Sequence, residues 1–139
     1  KIYQQDVTQL DQIVEKEGRP NTVIISYCFH WLNKGKGVVE KMIEDIYRHL
    51  EKGGYFISIE EYPLRIGFEQ DPINDYIRKN TEPINLEERL YPLVRSKGFV
   101  EAEDTLCYDI DTQQRLEPGF DTKEHTHVMY GKVFQKGEQ

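Results

Sequence analysis

The pattern of apolar and polar positions in the first half of the chain predicts two strands with a helix between them. The segment 21–27 is continuously apolar from Val23 to Ile25, as is typical of a strand covered on both faces. A second strand is predicted over 55–60, after the break at Gly53-Gly54. Between the strands, apolar residues recur at helical spacing, at Val39, Met42, Ile43, Ile46, Tyr47 and Leu50. This order predicts a βαβ unit with parallel strands whose carboxyl ends meet at one crevice.

The segments before this unit predict one more strand and one more helix. Residues 1–6 alternate in polarity and predict a short strand that ends at Asp6-Val7. Thr8, with Asp11 three residues later, resembles a capping box for a short helix with Leu10, Ile13 and Val14 on its buried side. Gly18 and Pro20 then end that helix.

After the unit, capping residues predict two more helices. Asp71-Pro72 is typical of a helix start and predicts a helix over 73–79. Asn85 with Glu88 is a second capping box, and its helix runs to Gly98. Pro92 falls inside this second helix and should kink or divide it.

The last third of the sequence predicts two strands without a helix between them. Phe99 begins a strand to about Ile110, a polar loop covers 111–123, and 124–135 alternates again. Strands joined without a helix must be antiparallel. The predicted fold class is therefore α/β, a doubly wound and mostly parallel sheet with an antiparallel hairpin at its carboxyl-terminal end.

Composition narrows the classes of function. The chain has 139 residues, of which 37% are hydrophobic and 31% charged, which indicates one globular domain. The net charge of −7, without a basic stripe, makes a nucleic-acid partner unlikely. No apolar run is long enough for a membrane span. Cys28 and Cys107 lie in strand-like runs without metal-ligand spacing, so we expect buried, reduced thiols and a cytoplasmic location.

The residues that follow the two central strands carry the candidate chemistry. They are Ser26, Tyr27, His30 and Trp31 after the first strand, and Glu60, Glu61 and Tyr62 after the second. His30 is a candidate general base, because imidazole titrates nearest neutral pH. Trp31 is a candidate pocket wall or stacking surface, and Glu60 is a candidate for holding a polar group of a substrate. Simple packing of His30 and Trp31 at the helix entry, and a solvated Glu60, are the alternatives.

A pair of histidines near the carboxyl terminus is a weaker candidate for a functional site. His125 and His127 are two residues apart in the predicted last strand, so both imidazoles would lie on one face and could bind a metal ion. No third ligand is near in sequence, so a structural or surface role is favoured and no metal site is predicted.

Four sequence segments, in this order, resemble the later part of a class I S-adenosylmethionine-dependent methyltransferase. They are Gln5-Asp6-Val7, then Val23-Ile24-Ile25-Ser26 with Phe29-His30-Trp31-Leu32, then His49-Leu50-Glu51-Lys52-Gly53-Gly54-Tyr55-Phe56, and Lys97-Gly98-Phe99. The resemblance implies that Asp6, with Val7, binds the adenine of S-adenosylmethionine, and that Ser26 and Tyr27 lie beside its methionine portion. The carboxylate of Asp6 can accept hydrogen bonds from an amino purine. The alternative is that Asp6 is an ordinary strand-end or turn residue.

One part of the family pattern is missing from the sequence. The glycine-rich turn that approaches the cofactor, and the strand with the ribose-binding acid, should precede Lys1, and neither is found after it. The resemblance therefore leads us to expect a single partial domain over residues 1–139, without its amino-terminal strands, that alone binds S-adenosylmethionine poorly.

The resemblance implies methyl transfer to an O, N or carboxylate group of a small molecule. Such a transfer depends chiefly on positioning, so it needs few catalytic side chains. The alternative is an inactive methyltransferase-like subunit that serves as a binding or scaffold module. Methylation of a protein or RNA is a third possibility, which the acidic composition does not favour.

Overall fold

The computed structural model describes residues 9–33, 35, 37–61, 76, 79–80, 82 and 84–137. The predicted strand over 1–6, Thr8 of the first capping box, and most of the predicted helix over 73–79 lie outside the described residues. Four α-helices are described: α1 (Leu10–Glu17), α2 (Phe29–Leu32), α3 (Val38–His49) and α4 (Tyr91–Ser96). The described strands are β1 (Thr22–Ser26), β2 (Tyr55–Glu61), β3 (Phe99–Glu101), β4 (Leu106–Asp109), β5 (Gln114–Leu116) and β6 (Val128–Lys136).

The predicted βαβ unit is confirmed. β1 and β2 pair in parallel, from Thr22 opposite Tyr55 to Ser26 opposite Ile59. Both strands therefore end on the same side of the sheet, which we call the carboxyl edge. α3 connects them, and its predicted apolar stripe is buried at Val39, Met42, Ile43 and Ile46, with Leu50 just beyond its end. The helix ends at His49, and Gly53 has a left-handed conformation (φ 73°) in the turn that follows.

β6 lies inside the sheet, in the order β1-β2-β6-β4-β5, and β3 also pairs with β6. β6 is antiparallel to β2, β3 and β4, and β4 is antiparallel to β5, so the predicted terminal hairpin is confirmed. In the described sheet the parallel pairing is confined to β1 and β2. The strand predicted from Phe99 to about Ile110 is interrupted over 102–105, and the predicted loop contains β5.

The helical segment before β3 begins and is divided at the residues that the sequence predicts. The Asn85 side chain accepts a hydrogen bond from the Glu88 backbone N–H at 2.9 Å, which satisfies one of the free donors of the first turn. The segment begins as a π turn over Leu86–Leu90 and continues as α4, with Pro92 at the start of α4. Pro92 thus divides the helix, because it cannot donate the backbone hydrogen bond of a continuous helix.

Alternate residues along the strands divide the sheet into two faces. On one, the covered face, the ring of Phe56 lies 6.0 Å from that of Phe134 and 5.6 Å from that of Phe99, measured between centroids. α3 and α4 supply the rest of this core, for example Ile46 and Tyr91. The other, the open face, carries four exposed large apolar side chains at Ile24, Tyr55, Val100 and Leu106.

None of the helices in the described ranges is long and apolar enough to cross a membrane. Cys28 is partly buried and Cys107 is buried, and neither forms a disulfide with another described residue.

Candidate functional site at the carboxyl edge

The chain leaves β1 through a strained residue. Tyr27 has a φ of 54°, which is uncommon for a residue with a bulky side chain, and its backbone N–H donates to the Ile59 carbonyl at 2.8 Å. The hydrogen bond to β2 holds the strained turn in place. Non-glycine residues in this conformation are concentrated at functional sites, so Tyr27 marks the carboxyl edge as a candidate site.

Glu60 of β2 holds the start of α2 against the sheet. Its side chain is only 2% exposed, and Oε1 accepts hydrogen bonds from the backbone N–H groups of Cys28 (3.2 Å) and Phe29 (3.0 Å). A carboxylate that accepts backbone donors at the start of a helical turn fixes the position of that turn. Glu60 therefore sets the place of α2, which carries two of the predicted site residues.

His30 and Trp31 lie side by side on α2. His30 is buried, and its Nδ1 atom is 3.6 Å from Oε2 of Glu60, which is too long for a hydrogen bond. The His30 and Trp31 rings are 5.8 Å apart between centroids, and the Trp31 ring is 6.0 Å from that of Tyr76. Trp31 is 39% exposed, so its ring reaches the surface while His30 stays beneath it.

The structure brings together six of the nine candidate site residues, with Glu61 at the end of β2 beside Tyr27. His30, Trp31 and Glu60 form one cluster, and Ser26 and Tyr27 occupy the end of β1 next to it. Ser26 is exposed and Tyr27 is partly buried. Asp6 and Val7 lie outside the described residues, as does Tyr62. The functional roles of all nine stay predictions.

Sequence reasoning missed a second histidine–carboxylate cluster at the same edge. Nε2 of His127 is 2.6 Å from Oε1 of Glu61, and Nδ1 of His127 is 3.2 Å from Oδ1 of Asp111. β6 starts at the carboxyl end of β2, because Glu61 pairs with Met129, and this register brings His127 to Glu61. The sequence named both residues, but it carried no signal that joined them.

His125 forms a similar histidine–carboxylate pair, with a residue of β4, the strand next to β6. Its Nδ1 atom is 2.5 Å from Oδ2 of Asp109, the last residue of β4. The hydrogen bond from His125 and the backbone N–H of Thr112 hold the pKa of Asp109 below its usual value. His125 and His127 precede β6 rather than lying in it, so the prediction that they share one strand face is wrong. Within the described ranges no group of three or more metal-ligating side chains is found.

The carboxyl edge is acidic around Tyr27. Burial raises the pKa of the Tyr27 hydroxyl, and the nearby carboxylates of Glu61 and Glu60 raise it further. The edge therefore combines negative charge with two imidazoles and an exposed indole. Such a surface favours a ligand that carries positive charge.

Comparisons with known proteins bear on the fold. No protein-family model matches the sequence, and no curated protein matches it. Among solved structures, an S-adenosylmethionine-dependent methyltransferase from Archaeoglobus fulgidus superposes on 98% of this chain with a TM-score of 0.61 and 14% identity. The chain has a class I methyltransferase-like fold. It spans 67% of the length of the Archaeoglobus protein.

Two further structures support the fold and differ in what their names state. An O-methyltransferase family protein from Burkholderia thailandensis matches 99% of this chain and 36% of its own, with a TM-score of 0.57 and 11% identity. A Thermus thermophilus protein named as a candidate DNA modification methylase matches 95% of this chain and 50% of its own, with a TM-score of 0.53 and 14% identity. At these identities the likeness concerns the fold alone.

Proposed function

We propose that this chain is the carboxyl-terminal part of a methyltransferase domain that transfers a methyl group from S-adenosylmethionine to an O, N or carboxylate group of a small molecule. The observation that carries the proposal is the strained Tyr27 at the carboxyl edge, beside a histidine on a turn that Glu60 anchors. In open α/β sheets, ligands bind at the carboxyl ends of the strands. The fold supplies the context for this assignment.

The charge of the edge fits this donor. S-adenosylmethionine carries its methyl group on a positively charged sulfur, and Glu60 and Glu61 supply negative charge around Tyr27. We assign Ser26 and Tyr27 to the methionine portion of the donor, and Asp6 and Val7 to its adenine. Trp31, which reaches the surface, would form a wall of the acceptor pocket.

An O–H or N–H acceptor needs a base to take its proton, whereas a carboxylate acceptor has no proton to lose. The acceptor's lone pair forms the new bond to the methyl carbon, the carbon–sulfur bond breaks, and its electron pair stays on sulfur. We assign the released proton to His30, with Glu60 as a positioning residue that holds α2 and faces the imidazole. His127, held between Glu61 and Asp111, is the second candidate base and is less buried than His30.

Single variants of the complete protein test these assignments by separating binding from turnover. Asp6→Ala should weaken S-adenosylmethionine binding by about 1 to 3 kcal/mol, the value of a hydrogen bond to a charged group, measured by calorimetry. His30→Ala should lower turnover in a labelled-methyl assay more than it lowers donor affinity. A matched control is His49→Ala, because His49 pairs with Asp11 at the end of α3, away from the carboxyl edge.

The same experiment separates the alternatives. A larger turnover loss for His127→Ala than for His30→Ala would move the base to His127. A complete protein that does not bind S-adenosylmethionine would overturn the proposal and favour the inactive binding or scaffold module.

A further inference from the structure

A second cleft adjoins the carboxyl-edge site, because its lining residue Tyr130 lies opposite Glu60 in the sheet. It has a volume of about 540 Å³ and opens on the covered face, beside the break between β3 and β4. The break leaves Lys132 of β6 without a partner on the β3–β4 side, whereas on its other side it pairs with Ser58 of β2. None of the residues assigned above to the donor or to proton transfer lines the cleft. Its charged and aromatic lining residues are Glu87, Glu101, Asp104, Phe120, Tyr130 and Lys132.

The only basic group among the cleft's lining residues is already paired. Lys132 is 5% exposed, and its Nζ atom lies 3.3 Å from Oε2 of Glu101 and 5.9 Å from the centroid of the Tyr91 ring. Glu101 is also 2.5 Å from the guanidinium of Arg95. Lys132 is thus neutralised from within the protein, so an anionic ligand would have to compete with Glu101.

Two carboxylates of the cleft lack such a partner. Among the described residues, no basic side chain lies within ion-pair distance of Glu87 or Asp104. The uncompensated charge of Glu87 acts on the cleft: burial raises the pKa of the Cys107 thiol, and Glu87 raises it further. Burial likewise raises the pKa of the Tyr91 hydroxyl, with Glu87 as the next cause.

Two aromatic rings also line the cleft. The Phe120 and Tyr130 rings both line the cleft, with centroids 6.4 Å apart and planes inclined at 40°. The Tyr91 hydroxyl is fully buried and has no hydrogen-bond partner in the described part of the chain. Ring faces beside unpaired carboxylates are the chemistry by which proteins hold ammonium groups, because the ring quadrupole and the carboxylate both attract a cation.

We propose that this cleft binds a small molecule with an ammonium group on an apolar body, and that Glu87 and Asp104 attract the ammonium group while Phe120 and Tyr130 pack against it. The proposal uses no residue that was assigned to the donor or to proton transfer, although Tyr130 of the cleft lies opposite Glu60.

Three probes with the same ring and different charge test the proposal: benzyltrimethylammonium, benzyl alcohol and benzoate. Each is titrated into the ¹⁵N-labelled complete protein, and backbone amide shifts are followed by NMR. The cation should shift the amides of 104–107, Gly119 and Phe120 and bind about tenfold more tightly than benzyl alcohol, as expected for a cation on aromatic rings and carboxylates. Binding of benzoate in place of the cation would overturn the proposal and assign the cleft to anions on Lys132.

A charge-matched pair of double variants removes the effect of net charge. Glu87→Gln with Asp104→Asn should weaken binding of benzyltrimethylammonium about tenfold, from two lost charge contacts. Glu15→Gln with Glu51→Gln removes the same charge from two exposed residues outside the cleft and should leave the affinity within about twofold. Equal losses in the two double variants would show attraction by net charge alone and would also overturn the proposal.

Discussion

The covered and open faces of the sheet are formed by the same strands but differ in how far their side chains are buried. Ile46 of α3, which packs on the covered face, is 0% exposed, whereas Ile24 of β1 on the open face is 57% exposed. Both faces are apolar in sequence: Phe56 and Phe134 point to one, Ile57 and Val133 to the other. An alternating strand therefore shows that a face is suited to burial, and only the packed helices show which face is buried.

The covered face also changes in character along β2. Its successive inward residues are Phe56, Ser58 and Glu60, and all three are buried. The apolar end belongs to the core under α3, and the polar end lies at the carboxyl edge with α2. A buried carboxylate is costly unless it is hydrogen-bonded, and Glu60 meets this condition through the α2 backbone.

The largest expected effect is a direct test of the comparison between faces. Ile46→Ala should lower the free energy of unfolding by about 2 to 5 kcal/mol, because it leaves a cavity in a fully buried site. Ile24→Ala should cost under about 1 kcal/mol, because most of that side chain stays in water. Urea denaturation measures both. Equal losses would show that Ile24 is buried in the protein in solution.

A pair of glycines gives a second, smaller contrast. Gly98 has a φ of 112°, and a Cβ atom there would lie 2.8 Å from the Tyr47 ring, so Gly98→Ala should cost roughly 1 to 3 kcal/mol. At Gly131, in β6 on the open face, the nearest atom to an added Cβ is 3.9 Å away. Gly131→Ala should stabilise the protein by about 0.5 to 1 kcal/mol, because glycine weakens a strand interior. Thermal unfolding of both variants checks the signs, and a stabilised Gly98→Ala would contradict the described turn.

The smallest effect is a pH dependence on the covered face. The hydrogen bond from His125 lowers the pKa of Asp109 in the folded state. The stability that Asp109 contributes is therefore complete above its unfolded-state pKa, and it is lost as the pH falls through its lower folded-state pKa. Asp109→Asn should therefore be less stable than the parent protein near pH 7, with a difference that shrinks below about pH 4. Urea denaturation across this range measures the difference. A stability difference that stays constant down to acidic pH would show that the charge of Asp109 is not involved.

Much of the fold was predictable from the sequence because its signals are local. The period of Val39 to Leu50 fixed the buried side of α3, Asn85 with Glu88 fixed the start of a helical segment, and Pro92 fixed its division. Each of these depends on neighbours within one or two helical turns, so reading along the chain was sufficient.

The tertiary structure alone decided the pairs that join distant segments. Glu60 was predicted as a site residue, but its bonds to the start of α2 depend on the parallel register of β1 and β2. The meeting of His127 with Glu61 depends on the antiparallel register of β2 and β6, and the cleft beside Lys132 depends on the break in the strand next to it. Side-chain alternation sets which face a residue takes, whereas strand register decides which residue lies opposite it, and register is a property of the assembled sheet.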